Sequence, residues 1–549
     1  MKKYWLFSLV VFLSVAVFAA EDKDRTFLIN KNLNTFNTIV RELDLFYVDT
    51  LDYDAMTKNS IDYMLRNLDP YTVYMPEENA EEISMMTKGE YGGIGALIMK
   101  MGNEVCVSEP YEGMAAQKND VRAGDVILEI NGESTKGMAL SDVSAKLRGT
   151  PSTEIKLKLK RPGEKKPIEK VFIREKIQMH PIAYSAVYPQ KVGYVLLNDF
   201  TDRAAIELKS TVADMVKNEQ IESLIIDLRN NGGGLIDEAV KIVGFFVPKG
   251  TEVATTKGKN NSSERVYNTP SEPVFPDMKL AVITNRSSAS ASEILAGAIQ
   301  DLDRGVIVGE RTFGKGLVQS IRPINYGGYL KVTTAKYYIP SGRCVQAIDY
   351  SHRNEDGSVG RVPDSLTTVF HTKKGREVRD GGGITPDTIT TETQNLNIAY
   401  YIYLQNHYFD FATQYVMQHP TIPAASEFVL SDEDFNAFVA YLKEKNFVYT
   451  TQTEKYLDEL TEVAKMDALD ENAIAEIEAL KEKLVPDVWT EVEKNKKDIT
   501  DILSIEIIKR YYFQKGEIEY TLRDDKELKV ALDILNSDNL YEDILAGSK

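Results

Sequence analysis

The sequence is poor in the residues that carry metal and disulfide chemistry, with two cysteines and five histidines among 549 residues. Cys106 and Cys344 allow one bridge at most, which excludes a disulfide scaffold; the sequence leaves open whether they pair. There is no H-E-x-x-H and no C-x-x-C, which argues against a zincin or a structural zinc site. Positive charge is also in short supply. The 65 lysines and arginines face 83 aspartates and glutamates, a formal net charge of −18. Such a surface repels phosphate and argues against a nucleic-acid partner. Past the N-terminus no apolar run reaches the about 20 residues that span a bilayer. Fixed-period repeats and low-complexity tracts are absent as well.

What is present suffices for several buried cores. Hydrophobic residues make up 43% and charged residues 27% of the chain, and the length fits about three or four domains. Lys2 and Lys3 precede an apolar run over 5–18, then Ala19-Ala20 and a charged stretch. This reads as a secretory signal peptide over 1–20, cleaved after Ala19 or Ala20. The alternative is an uncleaved anchor helix. No cysteine lies near the cleavage point, which argues against a lipid-modified N-terminus. The mature protein is expected to be exported, with no stable membrane span after cleavage.

The fold class expected is multi-domain α+β with an α/β region at its centre. Residues 26–82 carry helical spacing, with Leu33, Phe36, Ile39, Val40 and Leu43 on one face, and Asp69-Pro70 stopping a second helix. Residues 83–176 change texture: a glycine loop opens a strand at 91–98, Asn131-Gly132 follows a strand at 126–130, a short helix covers 140–147, and strands follow at 155–159 and 171–173. In 177–389, strands at 192–197, 224–228, 280–284 and 306–308 alternate with helices at 204–217, 235–245 and 292–299. The polar stretch 258–263 reads as a hairpin or flexible loop, and 353–383 as a second soft stretch. Residues 390–549 are helical, clearest at 473–484, 499–512 and 526–535.

Three signals in the α/β region carry chemistry. Asp227-Leu-Arg-Asn-Asn-Gly-Gly-Gly-Leu235 ends a strand, runs through glycines and opens a helix. Glycines permit positive φ and bring N–H groups close to a ligand, and the helix N-terminus adds partial positive charge. This suits an oxyanion; a sharp strand–helix turn is the plainer reading. Asn285-Arg-Ser-Ser-Ala-Ser-Ala-Ser-Glu293 follows a strand directly, where a tight turn exposes a hydroxyl; taken by itself, an N-cap cluster with Glu293 in the first turn is the plainer reading. In Gly309-Glu-Arg-Thr-Phe-Gly-Lys-Gly-Leu-Val-Gln319, Lys315 lies between two glycines before a strand. A lysine serves as base when desolvation lowers its pKa, and otherwise is simply solvated.

Together these segments resemble the carboxyl-terminal processing proteases, the tail-specific serine proteases of family S41. The strand–glycine–helix turn, the S-A-S-A-S-E turn and the T-F-G-K-G-x-x-Q stretch match in that order. Tyr47-Val-Asp49, Leu68-Asp-Pro-Tyr-Thr-Val-Tyr74, Gly92-Gly-Ile-Gly95, Val121-Arg-Ala-Gly-Asp-Val-Ile127, Pro340-Ser-Gly-Arg343 and Gly383-Ile-Thr-Pro-Asp387 extend the likeness over about residues 37–387. Departures are small: a third glycine in 232–234, and Arg286-Ser287 where the family often has glycine. The resemblance implies a helical N-terminal segment, a PDZ-like peptide-binding domain at 83–176, a protease core at 177–389 and a helical C-terminal domain whose role stays open. It implies Ser290 as nucleophile, Lys315 as general base, Gln319 as its orienter, and the N–H groups of Gly234 and Ala291 as oxyanion hole. Asp301 is implied as a supporting residue.

The resemblance further implies that Gly93, Ile94, Gly95 and Ala96 of the PDZ domain receive a substrate's terminal carboxylate while its tail adds a strand. The expected function is thus an exported, periplasmic serine endopeptidase that cleaves proteins near their C-termini without metal or organic cofactor. Its expected partners are proteins with exposed C-terminal tails, and the helices at both ends leave a homodimer or an adaptor protein open as partners. Two other classes stand beside it. One is a non-catalytic PDZ-based adaptor for envelope protein tails, against which the intact Ser290, Lys315 and Gln319 set argues. The other is an esterase using Ser290 with His180 or His352, which lacks the elbow motif and leaves the lysine unexplained.

Overall fold

Apolar residues alternate along the central strands, and each alternate set finds its own cover. Val195, Leu197, Leu224, Ile226, Leu280, Val282 and Ile307 pack into one core with the helices Ala204–Glu219, Ile236–Val243 and Ala291–Asp301. Tyr194, Ile225, Ala281, Ile283, Val306 and Val308 pack into a second core on the other face. Its cover comes from far along the chain, through Leu528, Ala531, Ile534 and Leu535 of the helix Lys526–Leu535 and Tyr541, Ile544 and Leu545 of Asp538–Ala546. The sheet between them has six strands in the order Ile182–Tyr188, Val192–Leu197, Ser223–Asp227, Lys279–Thr284, Val306–Gly309 and Thr388–Ile389. The first pair is antiparallel and the rest are parallel.

The computed structural model describes residues 2–77, 80–259, 264–390, 397–484 and 487–547. Two compact units divide the chain, residues 1–74 and 75–549. The first holds the helices Lys2–Phe46 and Tyr53–Arg66. The long helix runs through the segment read as a signal peptide, so local structure does not mark the expected cleavage point. Leu33, Phe36 and Ile39 are exposed on it. Among the described residues no helix is long and apolar enough to cross a membrane.

The second unit opens with the helix Ala80–Lys88, which sequence periodicity does not reveal. A five-stranded antiparallel path follows, Ala96–Met101, Glu104–Pro110, Val126–Ile130, Glu154–Lys160 and Ile168–Ile173, with the helix Leu140–Leu147 beside it. Ala96–Met101 lies at the edge of this sheet, paired on one side only among the described residues. A second antiparallel sheet flanks the protease core, where Leu317–Pro323 pairs Tyr329–Tyr338, which pairs Glu252–Gly258, which pairs Arg265–Asn268. The last pair is the expected hairpin at 258–263, whose tip at 260–263 lies outside the described residues. The soft stretch over 353–383 includes two short antiparallel pairings. Strand Ile182–Tyr188, unread in the sequence, adds the antiparallel edge of the core sheet. Both cysteines are free, and burial pushes the Cys106 thiol up to about 12.

Aromatic packing holds the C-terminal helices together. Phe411, Phe438 and Tyr441 pack edge-to-face and stacked at centroid distances of 5.1–6.2 Å, inside a core shared with Ile499, Leu503 and Ile507 of the helix Lys496–Leu522. An ion-pair cluster ties these helices to the protease core. Arg229, after strand Ser223–Asp227, meets Asp227 and Asp525 at 2.6 Å each.

Candidate active site

Strands Ser223–Asp227 and Lys279–Thr284 end side by side, with Asp227 in register with Ile283. The glycine run and the serine run leave from these two ends. The crevice beyond the carboxyl ends of parallel strands is where open α/β sheets place their ligands.

Ser290 caps the helix Ala291–Asp301 with φ 58° and ψ −114°. A non-glycine residue in such a conformation stores about 1–3 kcal/mol, and persists only where its surroundings over-determine it. Several contacts do so here. Glu293 Oε2 accepts the Ser290 N–H at 2.9 Å. The Tyr337 hydroxyl donates to the Ser290 carbonyl at 3.2 Å. The Asn231 carbonyl accepts the Ala289 N–H at 3.0 Å and the Ser292 hydroxyl at 2.9 Å.

The three glycines differ in what they do. Gly233 has φ 105°, and a Cβ there would lie 2.7 Å from Ser290 Cβ. Gly234 has φ 143°, and a Cβ there would lie 2.6 Å from the Phe200 carbonyl oxygen. Gly232 meets nothing within 4 Å, so the extra glycine is conformationally unconstrained. Asn231 fixes the loop by accepting the Gly233 N–H at 2.9 Å and donating to the Leu197 carbonyl at 2.7 Å. Among the described residues, neither the Gly234 N–H nor the Ala291 N–H donates to a protein acceptor.

Lys315 is held by the same carboxylate that holds the serine turn. Glu293 Oε2 also accepts the Lys315 N–H at 2.8 Å, while Oε1 accepts the Gly314 N–H at 2.7 Å and the Thr312 hydroxyl at 2.6 Å. Glu293 is fully buried, and burial raises its carboxyl above the usual range against the pull of these four donors. Sequence reading gave Glu293 only a helix-capping role. Its reach into the lysine loop is a tertiary contact that no local spacing encodes. Gln319 lies on strand Leu317–Pro323 opposite Thr333, and its amide nitrogen donates to the Thr333 hydroxyl at 3.2 Å. Any bond it accepts from Lys315 therefore falls to its carbonyl oxygen.

Ser290, Lys315, Gln319 and Gly234 line one cleft of about 460 Å³, together with Gly233 and Tyr337. Ala291 lies behind Ser290, its side chain fully buried. Three further lining residues escape sequence reading. Met86 and Thr87 come from the helix Ala80–Lys88. Asp199 follows strand Val192–Leu197, and burial pushes its carboxyl up to about 6 while the Phe200 N–H, donating at 2.7 Å, pulls it down. Asp301 does not line the cleft. It forms a buried pair with Arg343 at 2.7 Å and accepts the Ser341 N–H at 3.0 Å.

Ile94, Gly95 and Ala96 line a second groove of about 360 Å³, between the edge strand Ala96–Met101 and the helix Leu140–Leu147. Gly93 lies outside it, paired with Glu175. A groove between an edge strand and a helix is the geometry that accepts a peptide as an added strand.

Comparison with known proteins finds three matching family models. The family model for Peptidase family S41 matches residues 191–351, that for the PDZ domain 82–160, and that for the probable PDZ-protease C-terminal helical domain 398–535. The chain is 33% identical over 356 residues to a carboxy-terminal-processing protease of Bartonella bacilliformis, covering 63% of this chain and 81% of that protein. It is 35% identical over 316 residues to a probable CtpA-like serine protease of Staphylococcus aureus, covering 57% of this chain and 62% of that protein. A solved photosystem II D1 C-terminal processing protease shares 28% identity with a TM-score of 0.36, over 65% of this chain and 86% of that one. The chain belongs to peptidase family S41, the carboxy-terminal-processing serine proteases that carry a PDZ domain.

Proposed function

We propose that this protein is an exported serine endopeptidase that cleaves proteins near their C-termini through Ser290 and Lys315. One observation carries the reading: Ser290, Lys315 and Gln319 share a cleft in which one carboxylate, Glu293, fixes the backbone of both the serine and the lysine. The neutral Lys315 amine takes the hydroxyl proton of Ser290 as the oxygen attacks a peptide carbonyl. The N–H groups of Gly234 and Ala291 hold the oxyanion that forms. Lys315 returns the proton to the leaving amine, and water then frees the acyl group from Ser290. Gln319 orients the lysine. No metal or organic cofactor enters these steps.

The PDZ domain selects the substrate. An extended tail pairs with the edge strand Ala96–Met101, and its terminal carboxylate meets the turn at Ile94, Gly95 and Ala96 that lines the groove. The basic and apolar start of the chain supports export, which in a cell with two membranes means the periplasm.

The test is digestion of an unfolded protein bearing an apolar C-terminal tail, beside the same protein with that tail amidated. Ser290→Ala and Lys315→Ala run in parallel. Cleavage lost in both variants and weakened by amidation is the expected result. Cleavage by Ser290→Ala at the wild-type rate overturns the assignment of the nucleophile. Tail binding without cleavage by the wild type moves the reading to an adaptor.

A further inference from the structure

Two residues connect grooves that otherwise look separate. Leu97, on the edge strand Ala96–Met101, lines both the PDZ groove and a larger groove of about 790 Å³. Asn198, just past the end of strand Val192–Leu197, lines that larger groove and also the cleft that holds Ser290. The larger groove thus abuts the tail-binding groove at one end and the catalytic cleft at the other. Asn230 and Asn285, at the carboxyl ends of core strands, lie along it. Its opposite wall is the helix Lys496–Leu522, through Lys509, Gln514, Glu517 and Thr521.

That wall is shaped by a break in the helix. Phe513 has φ 53° and ψ −158°, which interrupts the backbone ladder and turns the helix. Gln514, the next residue, is exposed on the groove.

The chemistry of the groove suits an extended polypeptide. A strand added to Ala96–Met101 sends alternate side chains to opposite faces. One set enters the pocket under the helix Leu140–Leu147, and the other points to the face where Leu97 meets the larger groove. The carboxamides of Asn198 and Gln514 each offer donors and an acceptor, which is what the backbone of an extended chain needs. Four carboxylates, Glu109, Glu517, Asp227 and Asp525, line the groove against two cations, Lys509 and Arg229. Arg229 is already engaged by Asp227 and Asp525. The balance is acidic and favours basic side chains in whatever lies there.

We propose that this groove holds the extended segment of the substrate between its tail on the PDZ domain and its scissile bond at Ser290. The helix Lys496–Leu522 of the C-terminal helical domain is then part of the substrate-binding surface and selects segments rich in lysine and arginine. The inference rests on the protease reading above.

The test compares two substrates of the purified protein: a short peptide that fills only the catalytic cleft, and a protein with a long C-terminal tail. The tail is made in two forms, with lysines or with glutamates just before its apolar end. Gln514→Ala is expected to raise KM for the long substrate about tenfold, or about 1.4 kcal/mol, with short-peptide cleavage unchanged. Glu517→Lys is expected to shift preference from the lysine tail to the glutamate tail. Equal kinetics of wild type and variants on all substrates overturns the groove, as does an equal loss on short and long substrates. Wild-type failure on every substrate sinks the protease reading instead. A second measurement needs no cleavage. In Ser290→Ala, a Thr521→Cys substitution is expected to form a disulfide with a cysteine placed in the same tail segment, and amidation of the tail is expected to weaken it. Absence of that crosslink, with the tail bound, overturns the proposal.

Discussion

Ser290 and Lys315 donate their backbone N–H groups to the same atom, Oε2 of Glu293, at 2.9 and 2.8 Å. The serine turn and the lysine loop come from different parts of the chain, and this shared acceptor sets the position of one against the other. Glu293→Ala leaves three N–H groups, one buried and two half-buried, without their acceptor, at a cost of about 3 kcal/mol or more. The expected outcome is a large fall in melting temperature together with loss of cleavage. Glu293→Gln keeps the shape and one oxygen, so it is expected to fold more stably than the alanine variant and still to cleave more slowly than wild type. Thermal unfolding and kcat/KM, measured on both variants, check this.

The glycine run supplies a matched pair of substitutions. Gly233→Ala puts a methyl group 2.7 Å from Ser290 Cβ on a backbone with φ 105°. It is expected to abolish cleavage. Gly232→Ala meets no protein atom within 4 Å, although the position lines the same cleft, and is expected to lower kcat/KM far less than Gly233→Ala. Side-by-side kinetics decide it; equal loss in both variants rules out the geometric account.

Asp301 and Arg343 form a buried pair outside the cleft. Breaking such a pair from one side costs about 3–5 kcal/mol. Asp301→Ala is expected to lower the unfolding free energy by that order while the protein that remains folded cleaves with near-normal kcat. A loss of kcat in fully folded Asp301→Ala would give this residue a part in the chemistry.

Glu109 provides a pH dependence whose direction follows from its surroundings. Burial pushes its carboxyl up to about 6, Glu517 adds to the rise, and Lys509, Arg510 and the Gln514 N–H pull it down. The folded state therefore holds this proton more tightly than the unfolded chain. The associated stability is full below the ordinary glutamate value of about 4.3 and is lost as pH rises through about 6. Glu109→Gln removes the dependence. Denaturant unfolding is expected to show the variant more stable than wild type at pH 7, by up to about 2 kcal/mol, with the gap closing at pH 4.5.

Much of this molecule is readable before it folds. Strand 192–197 and helices 140–147 and 526–535 appear where apolar spacing puts them, because each buries a face whose period the sequence repeats. The segments of Ser290, Lys315 and Gln319 stand out in the sequence because they carry a family pattern, and the three residues line one cleft. The signals that failed are those whose reason lies elsewhere in the chain. Glu293 reads as a helix cap until the lysine loop arrives beside it. Asp199 reads as a loop aspartate until neighbours bury it. Strand Ile182–Tyr188 has a half-buried, aromatic-rich pattern that takes its meaning from pairing with Val192–Leu197. The helix Ala80–Lys88 is short, and tertiary packing rather than local propensity decides helices of that length.

The second face of the protease sheet is closed by the helices Lys526–Leu535 and Asp538–Ala546. Both helices lie beyond all the cleft residues along the chain, and so leave the ribosome after them. Domains form as their segments emerge, so during synthesis this sheet waits, bare on one side, after every residue of its cleft has been made. A peptidase built in this order is finished only after both helices have been made and have covered the sheet. A chain truncated just before Lys526 is therefore expected to aggregate and to show no activity, although its catalytic sequence is intact.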